Sequence, residues 1–241
     1  MPHRGPEWSR EEVAAFRLGR HHLARPAPRS RLVEVVRDVC GVQAQVSAAA
    51  RLAIWTRIRR LTLDDVERAL SRERSLVKTW CMRGATHLLP SADLPTFMAS
   101  LRRAAPRGTR SWFARYGLRG ADLEAMAAAV AEALRDGPLN RHELADRVVA
   151  TQGERARPWV EHGWGGVVAY AAQLGLVCFG ESRGQEVTFA RTDAWIPGWH
   201  EVDVEEAEAT VARRYLHGCG PAGPSDFAAW SGMAVRDAER S

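Results

Sequence analysis

The chain has 241 residues, 46% hydrophobic and 26% charged, with a net charge of +5. That composition excludes a disordered, collagen-like or disulfide-scaffold protein, and a chain of this length can bury roughly 70–75% of its unfolded surface without metals or crosslinks. No apolar run is long enough to span a membrane and the N-terminus lacks a signal core, so a soluble cytoplasmic protein is expected. Cys40, Cys81, Cys178 and Cys219 lie far apart in apolar stretches, without metal-ligand spacing. They read as small core residues of a reduced protein, and neither a metal nor a cofactor is expected.

The charge is unevenly placed. Residues 1–120 hold 23 Lys and Arg against 10 Asp and Glu, whereas residues 121–241 hold 11 against 19. A basic half points to a polyanion, most simply nucleic acid. A solvated basic face without a partner is the plainer alternative.

In chain order, Ser9 and Glu12 have capping-box spacing and open a helix expected to run to about Leu23, before Arg25-Pro26. Ser30 is the expected cap of a second helix carrying Leu32, Val33, Val36, Val39 and Cys40, with Gly41 as its breaker. A third carries Leu52, Ile54, Trp55 and Ile58, and Thr62 with Asp65 begins a short fourth. The period then changes to that of strands: 76–82 and 85–89 read as a hairpin about Arg83-Gly84.

After a stretch rich in Arg and Gly (102–120) the pattern recurs. An alanine-rich helix covers Asp122 to Leu134, and Asn140 with Glu143 caps a second. Gly163 to Leu174 makes a third, and 176–179 with 185–190 form another hairpin. A third copy begins with a helix over Val204 to His217 and a short one capped by Ser225. It stops within its next helix, from which a longer native protein is expected.

The expected fold is therefore mainly α with small β wings (α+β): tandem winged helix-turn-helix units forming a concave DNA-binding scaffold. The expected units are 1–101, 121–200 and a truncated 201–241, with 102–120 as a basic linker. Winged helices also serve as protein-interaction modules, which is the alternative. P-loop, GxSxG, HExxH and dinucleotide signatures are absent. His142-Glu143 fits capping, His21-His22 fall on adjacent helix faces, and Trp55 and Trp80 read as core, with base-stacking platforms as the alternative.

One short motif carries more. Gly41-Val-Gln43-Ala-Gln45, then Arg51-Leu-Ala-Ile-Trp55-Thr-Arg57, then 79–90 (TWCMRGATHLLP) and Asp93-Leu-Pro95 occur in one order and spacing. Together they resemble the winged-helix DNA glycosylases of the azinomycin-resistance type, the AlkZ family, which includes the YcaQ-like enzymes. The resemblance implies a scaffold for duplex DNA and a monofunctional glycosylase that hydrolyses the N-glycosidic bond of N7-alkylated purines. The Gln-x-Gln branch is associated with unhooking interstrand crosslinks, the Gln-x-Asp branch with simpler N7-alkylpurines.

Gln43 and Gln45 are thus the candidate catalytic residues. An amide is too weak a base to deprotonate water. An N7-alkylated guanine, however, is already cationic and departs neutral, so positioning a water against C1′ through two amide acceptors is a sufficient contribution. Gln45, uncharged, is expected to restrict the chemistry to such activated lesions. Arg51, Arg57, Lys78 and Arg83 are the candidates for DNA phosphates, although Arg83 beside its turn also suits a carboxylate. Thr79 and His87 are candidates for the neighbourhood of the lesion, or strand residues with a structural role. Damaged double-stranded DNA is the expected partner of a monomeric, nucleoid-associated protein. The alternative function is a non-catalytic winged-helix transcriptional regulator.

Overall fold

The computed structural model describes residues 8–102 and 105–241, with side chains omitted for 105–108. The expectations for Met1–Glu7, and for Arg103 and Ala104 of the basic linker, lie outside the described residues. The first elements are α1 (Arg10–Arg20), β1 (Ala27–Pro28), α2 (Leu32–Asp38), β2 (Val42–Gln43), α3 (Ser47–Trp55), β3 (Ile58–Arg59), α4 (Leu63–Ser71), β4 (Leu76–Trp80), β5 (Thr86–Pro90) and α5 (Leu94–Leu101). Then come α6 (Ala105–Arg115), α7 (Gly120–Ala133), β6 (Leu139–Asn140), α8 (Arg141–Gln152), α9 (Arg157–Val160), α10 (Gly166–Gln173), β7 (Val177–Phe179), β8 (Thr188–Arg191) and α11 (Thr192–Trp195). The chain closes with α12 (Val204–Cys219), α13 (Pro224–Ser231) and α14 (Val235–Ala238).

The same order appears twice. In α2-β2-α3-α4-β4-β5 the sheet runs β2-β5-β4, and in α7-β6-α8-α10-β7-β8 it runs β6-β8-β7, both antiparallel. Each repeat has a helix, a minimal strand, two further helices, between which the second repeat inserts the one-turn α9, and a hairpin whose second strand takes the middle place. Each also has its own core, around Val36, Ile54 and Leu76 in the first and Leu144, Val168 and Phe189 in the second.

The reciprocal caps at Ser9, Thr62 and Asn140 form as their spacing dictates. Ser30 caps nothing, because a 3-10 turn over Arg29–Arg31 absorbs it. α13 starts instead on Pro224, with Asp226 reaching back to the Gly223 N–H at 2.9 Å, so Ser225 is no cap. α1 stops short of Leu23 because His22 turns into the left-handed region at φ 57°. Ile58 leaves α3 and pairs in parallel with Ala27. Trp55 is 59% exposed, not core: α3 buries Ala50 and Ile54, four apart, and the next residue points about 100° away. Trp80 is core, stacked on Phe179 at 4.6 Å between ring centroids, where the two repeats meet.

The stretch 102–120 contains a helix, α6, with Phe113 and Leu118 in the core of the second repeat. The last segment does not make a core of its own. Val211, Tyr215 and Phe227 join Met82, Leu89 and Phe97 of the first repeat and Cys178 and Ala190 of the second in one cluster. Asp93, 5% exposed, completes that joint by pairing with Arg37 and Arg214, each at 2.9 Å. No helix among the described residues is long and apolar enough to cross a membrane.

Candidate active site

The end of α2 aims the chain at the site. Cys40 is left-handed at φ 59°; its N–H bonds to the Arg37 carbonyl at 2.9 Å, while the Gly41 N–H bonds to that of Val36 at 3.0 Å. This pair of bonds is a Schellman closure, which reverses the backbone. Gly41 has φ +91°, and a Cβ there would lie 2.7 Å from Leu89, so only glycine fits. β2 then pairs with β5, Val42 opposite Leu88 and Gln43 opposite His87, and the Ala44 N–H extends the pairing to Thr86 O at 2.7 Å. Alternation does the rest: Val42 and Ala44 are buried, Gln43 and Gln45 exposed on the other face.

Gln43 and Gln45 open into a hollow of about 450 Å³, lined also by Val39, Val46, Ala49, Ala53, His21 and Arg57. The two amides are not equivalent. Gln45 Oε1 accepts from the Thr86 N–H and hydroxyl, both at 3.3 Å, which leaves its NH₂ as a donor. The Gln43 amide makes no hydrogen bond among the described residues. One free amide oxygen therefore faces the hollow where two acceptors were expected. Arg57 is half-buried, with Nη1 on the Ala53 carbonyl at 2.6 Å and a buried Nε without a hydrogen-bond partner. It has no carboxylate partner among the described residues, and burial lowers its pKa.

The other expected residues are distributed around this hollow. Thr79 and His87 share a row of the sheet with Gln43, but both are buried, at 1% and 2% exposure. His87 Nδ1 lies 2.9 Å from the Ala85 carbonyl, and burial pushes its pKa down to about 4, so the ring is neutral. Both are buried in the sheet beside Gln43, and neither lines the hollow. Arg51 and Lys78 line a different cleft, between α3, α4 and the second hairpin. There Arg51 pairs with Glu67, and Lys78 Nζ bonds to Ser47 Oγ at 3.1 Å and sits over the Phe179 ring. Burial and the charge of Arg51 lower the Lys78 pKa. Arg83, left-handed at φ 56°, is exposed and donates to the Trp230 carbonyl, not to a carboxylate.

Sequence reasoning missed two residues here, Thr86 and His21. Thr86 lies within the quoted motif, and placing Gln43 opposite His87 would have brought Gln45 beside it. His21 is far upstream and carries no local signal. Among the first-half carboxylates, Glu34, Asp38, Asp64, Asp65, Glu67, Glu73 and Asp93 are engaged by basic side chains. The exposed Arg59, Arg60 and Arg72 form no ion pair among the described residues and carry the basic excess outward. No cluster of three or more metal-ligating side chains occurs among the described residues. Cys40, Cys81 and Cys178 are buried and free, and Cys219 is half-buried and free.

The chain resembles known proteins over nearly its whole length. It is 31% identical over 226 residues to the interstrand DNA cross-link repair glycosylase of Streptomyces sahachiroi, covering 91% of this chain and 59% of the relative. The solved structure of the Streptomyces sahachiroi DNA glycosylase AlkZ superposes with a TM-score of 0.86 at 29% identity, covering 98% of this chain and 64% of that one. The chain thus spans about three fifths of the length of the curated relative it matches. The model of the AlkZ-like DNA glycosylases matches residues 36–241, and the chain belongs to that family.

Proposed function

We propose that this chain forms the DNA-binding and water-positioning part of a monofunctional DNA glycosylase. It hydrolyses the N-glycosidic bond of N7-alkylated purines in duplex DNA, interstrand crosslinks built on such purines included. The observation that carries this reading is the pair Gln43 and Gln45, turned outward from β2 into a hollow with Arg57, in a family of DNA glycosylases. The two repeats read as winged helix-turn-helix units over 1–101 and 121–200, with α6 of the stretch 102–120 built into the second and 201–241, the start of a third, packed on both.

The chemistry follows from the leaving group. An N7-alkylated guanine is cationic, so breaking its C1′–N9 bond releases a neutral base and needs no acid. The Gln43 oxygen accepts a hydrogen bond from a water and orients it toward C1′, which shortens the search for a reactive geometry. Gln45, braced by Thr86, holds its NH₂ group toward the sugar and phosphate. Arg57, a half-buried cation without a carboxylate partner among the described residues, takes a phosphate of the lesion strand. Lys78 supports a monofunctional reaction: it is the chain's only lysine and lies in the other cleft, committed to Ser47 and Phe179.

The test is duplex DNA containing N7-methylguanine, incubated with the protein and then cleaved at abasic sites with alkali. Strand breaks that disappear in the Gln43→Ala, Gln45→Ala double variant are the expected result. Tight binding to undamaged DNA of one sequence, with no breaks, would replace this reading with a transcriptional regulator.

A further inference from the structure

His21 closes α1 and lines the same hollow as Gln43, Gln45 and Arg57. It lies upstream of residues 36–241, the region that the family model matches. A glycine holds the neighbouring wall close. A Cβ on Gly218 of α12 would come within 2.5 Å of the Asp38 carbonyl, so α12 rests directly on the end of α2. That contact sets the Gly218 backbone and the Cys219 thiol against the His21 ring, with Sγ 4.0 Å from Nε2.

Apart from His21, no side chain lining the hollow among the described residues is able to take a proton. Neither amide is basic enough, and the Gln45 oxygen is already occupied by Thr86. No carboxylate lines the hollow, and His21 is its one side chain with a titratable lone pair among the described residues. The groups facing its ring are Arg17 and His22 from its own segment, Arg57 from beyond α3, and Gly218 and Cys219 from α12. Asp38, the nearest candidate to hold an imidazolium, is bound to His22 at 2.8 Å. Burial first, then the Arg57 charge, lowers the His21 pKa against an opposing hydrogen bond with the Gly218 backbone. A neutral imidazole always keeps one ring nitrogen as an acceptor.

We propose that His21 is the general base of this hollow, accepting a proton from the water that Gln43 orients. As the water oxygen bonds to C1′, its proton passes to the imidazole. The C1′–N9 bond breaks, and its electron pair leaves on the alkylated base, which becomes neutral. The imidazolium returns its proton to solvent after the abasic product departs. This assignment rests on the glycosylase reading above.

The experiment measures single-turnover release of N7-methylguanine from duplex DNA by the whole chain between about pH 5 and 8, with melting temperature and DNA affinity followed alongside. The wild-type rate falls on acidification below the usual histidine pKa of 6.5, as His21 protonates. His21→Asn slows release on the order of 100-fold, flattens that acid limb and leaves DNA affinity unchanged. Imidazole added to His21→Ala restores part of the rate. The assignment is overturned if His21→Asn keeps the wild-type rate and pH profile while the double glutamine variant is inactive. It is equally overturned if both histidine variants are slow but imidazole rescues nothing, since His21 is then only a wall of the hollow. Full activity in the double glutamine variant would overturn the glycosylase site itself, a different result from either.

Discussion

The two repeats share a topology and use it differently. Gln43 and Asn140 occupy the same place, the last residue of the first strand, opposite His87 in one sheet and Thr188 in the other. In the second repeat the helix begins at once, so Asn140 caps α8 in a reciprocal pair with Glu143. In the first, Ala44-Gln45-Val46 intervenes before α3 starts at Ser47. Those three residues free Gln43 from capping, add Gln45 on the same face, and leave α3 with Val46 at its cap position and no side-chain cap. A polar residue that stabilises one repeat is left open to solvent in the other. The candidate site thus sits on the longer of the two connections, beside a helix that lacks a side-chain cap, as binding residues carried by short connections on a rigid frame commonly do.

Making the first sheet resemble the second gives the largest expected effect. His87 is neutral when folded, with a pKa pushed to about 4, and ordinarily titrates at 6.5. Between those values the unfolded chain binds more protons, so stability falls as pH drops below 6.5 and the loss is complete below 4. The shift corresponds to about 3 kcal/mol. Denaturant unfolding against pH should show this slope in the wild type and not in His87→Thr, whatever the neutral-pH cost of the substitution.

Exchanging the roles of the paired positions comes next. Gln43→Ala should reduce base release on the order of 100-fold with little change in melting temperature. Asn140→Ala should leave release unchanged and cost about 1 kcal/mol by calorimetry. The reverse pattern would mean that the first repeat is not the reactive one. Restoring a cap is the smallest effect: Val46→Ser should stabilise α3 by about 0.5–1 kcal/mol in thermal unfolding.

Local chemistry made much of this legible. Three capping boxes and two hairpins follow from residues close in sequence, whereas β2, whose alternation turns Gln43 and Gln45 outward, is too short to read as a strand between two helices. What escaped depends on distance. Trp55 reads as core until the short α3 fixes Ile54 inward. Thr79 and His87 lie beside the glutamines in the sheet, but burial keeps both from lining the hollow. His21 meets the hollow only because α1 and α12 pack together, and the loss of the Gln45 oxygen to Thr86 depends on strand register.

The cluster that joins Met82 and Leu89 to Cys178, Ala190, Tyr215 and Phe227 also governs how the molecule opens. Because all three segments fill one interior, their slowest amides should exchange with deuterium through a single opening event rather than three. A protease nick in the connection over 198–203 would give fragments that remain bound, the C-terminal helices acting as a ligand held from within. Their release would remove the packing under Leu89, against which Gly41 sets the glutamine strand.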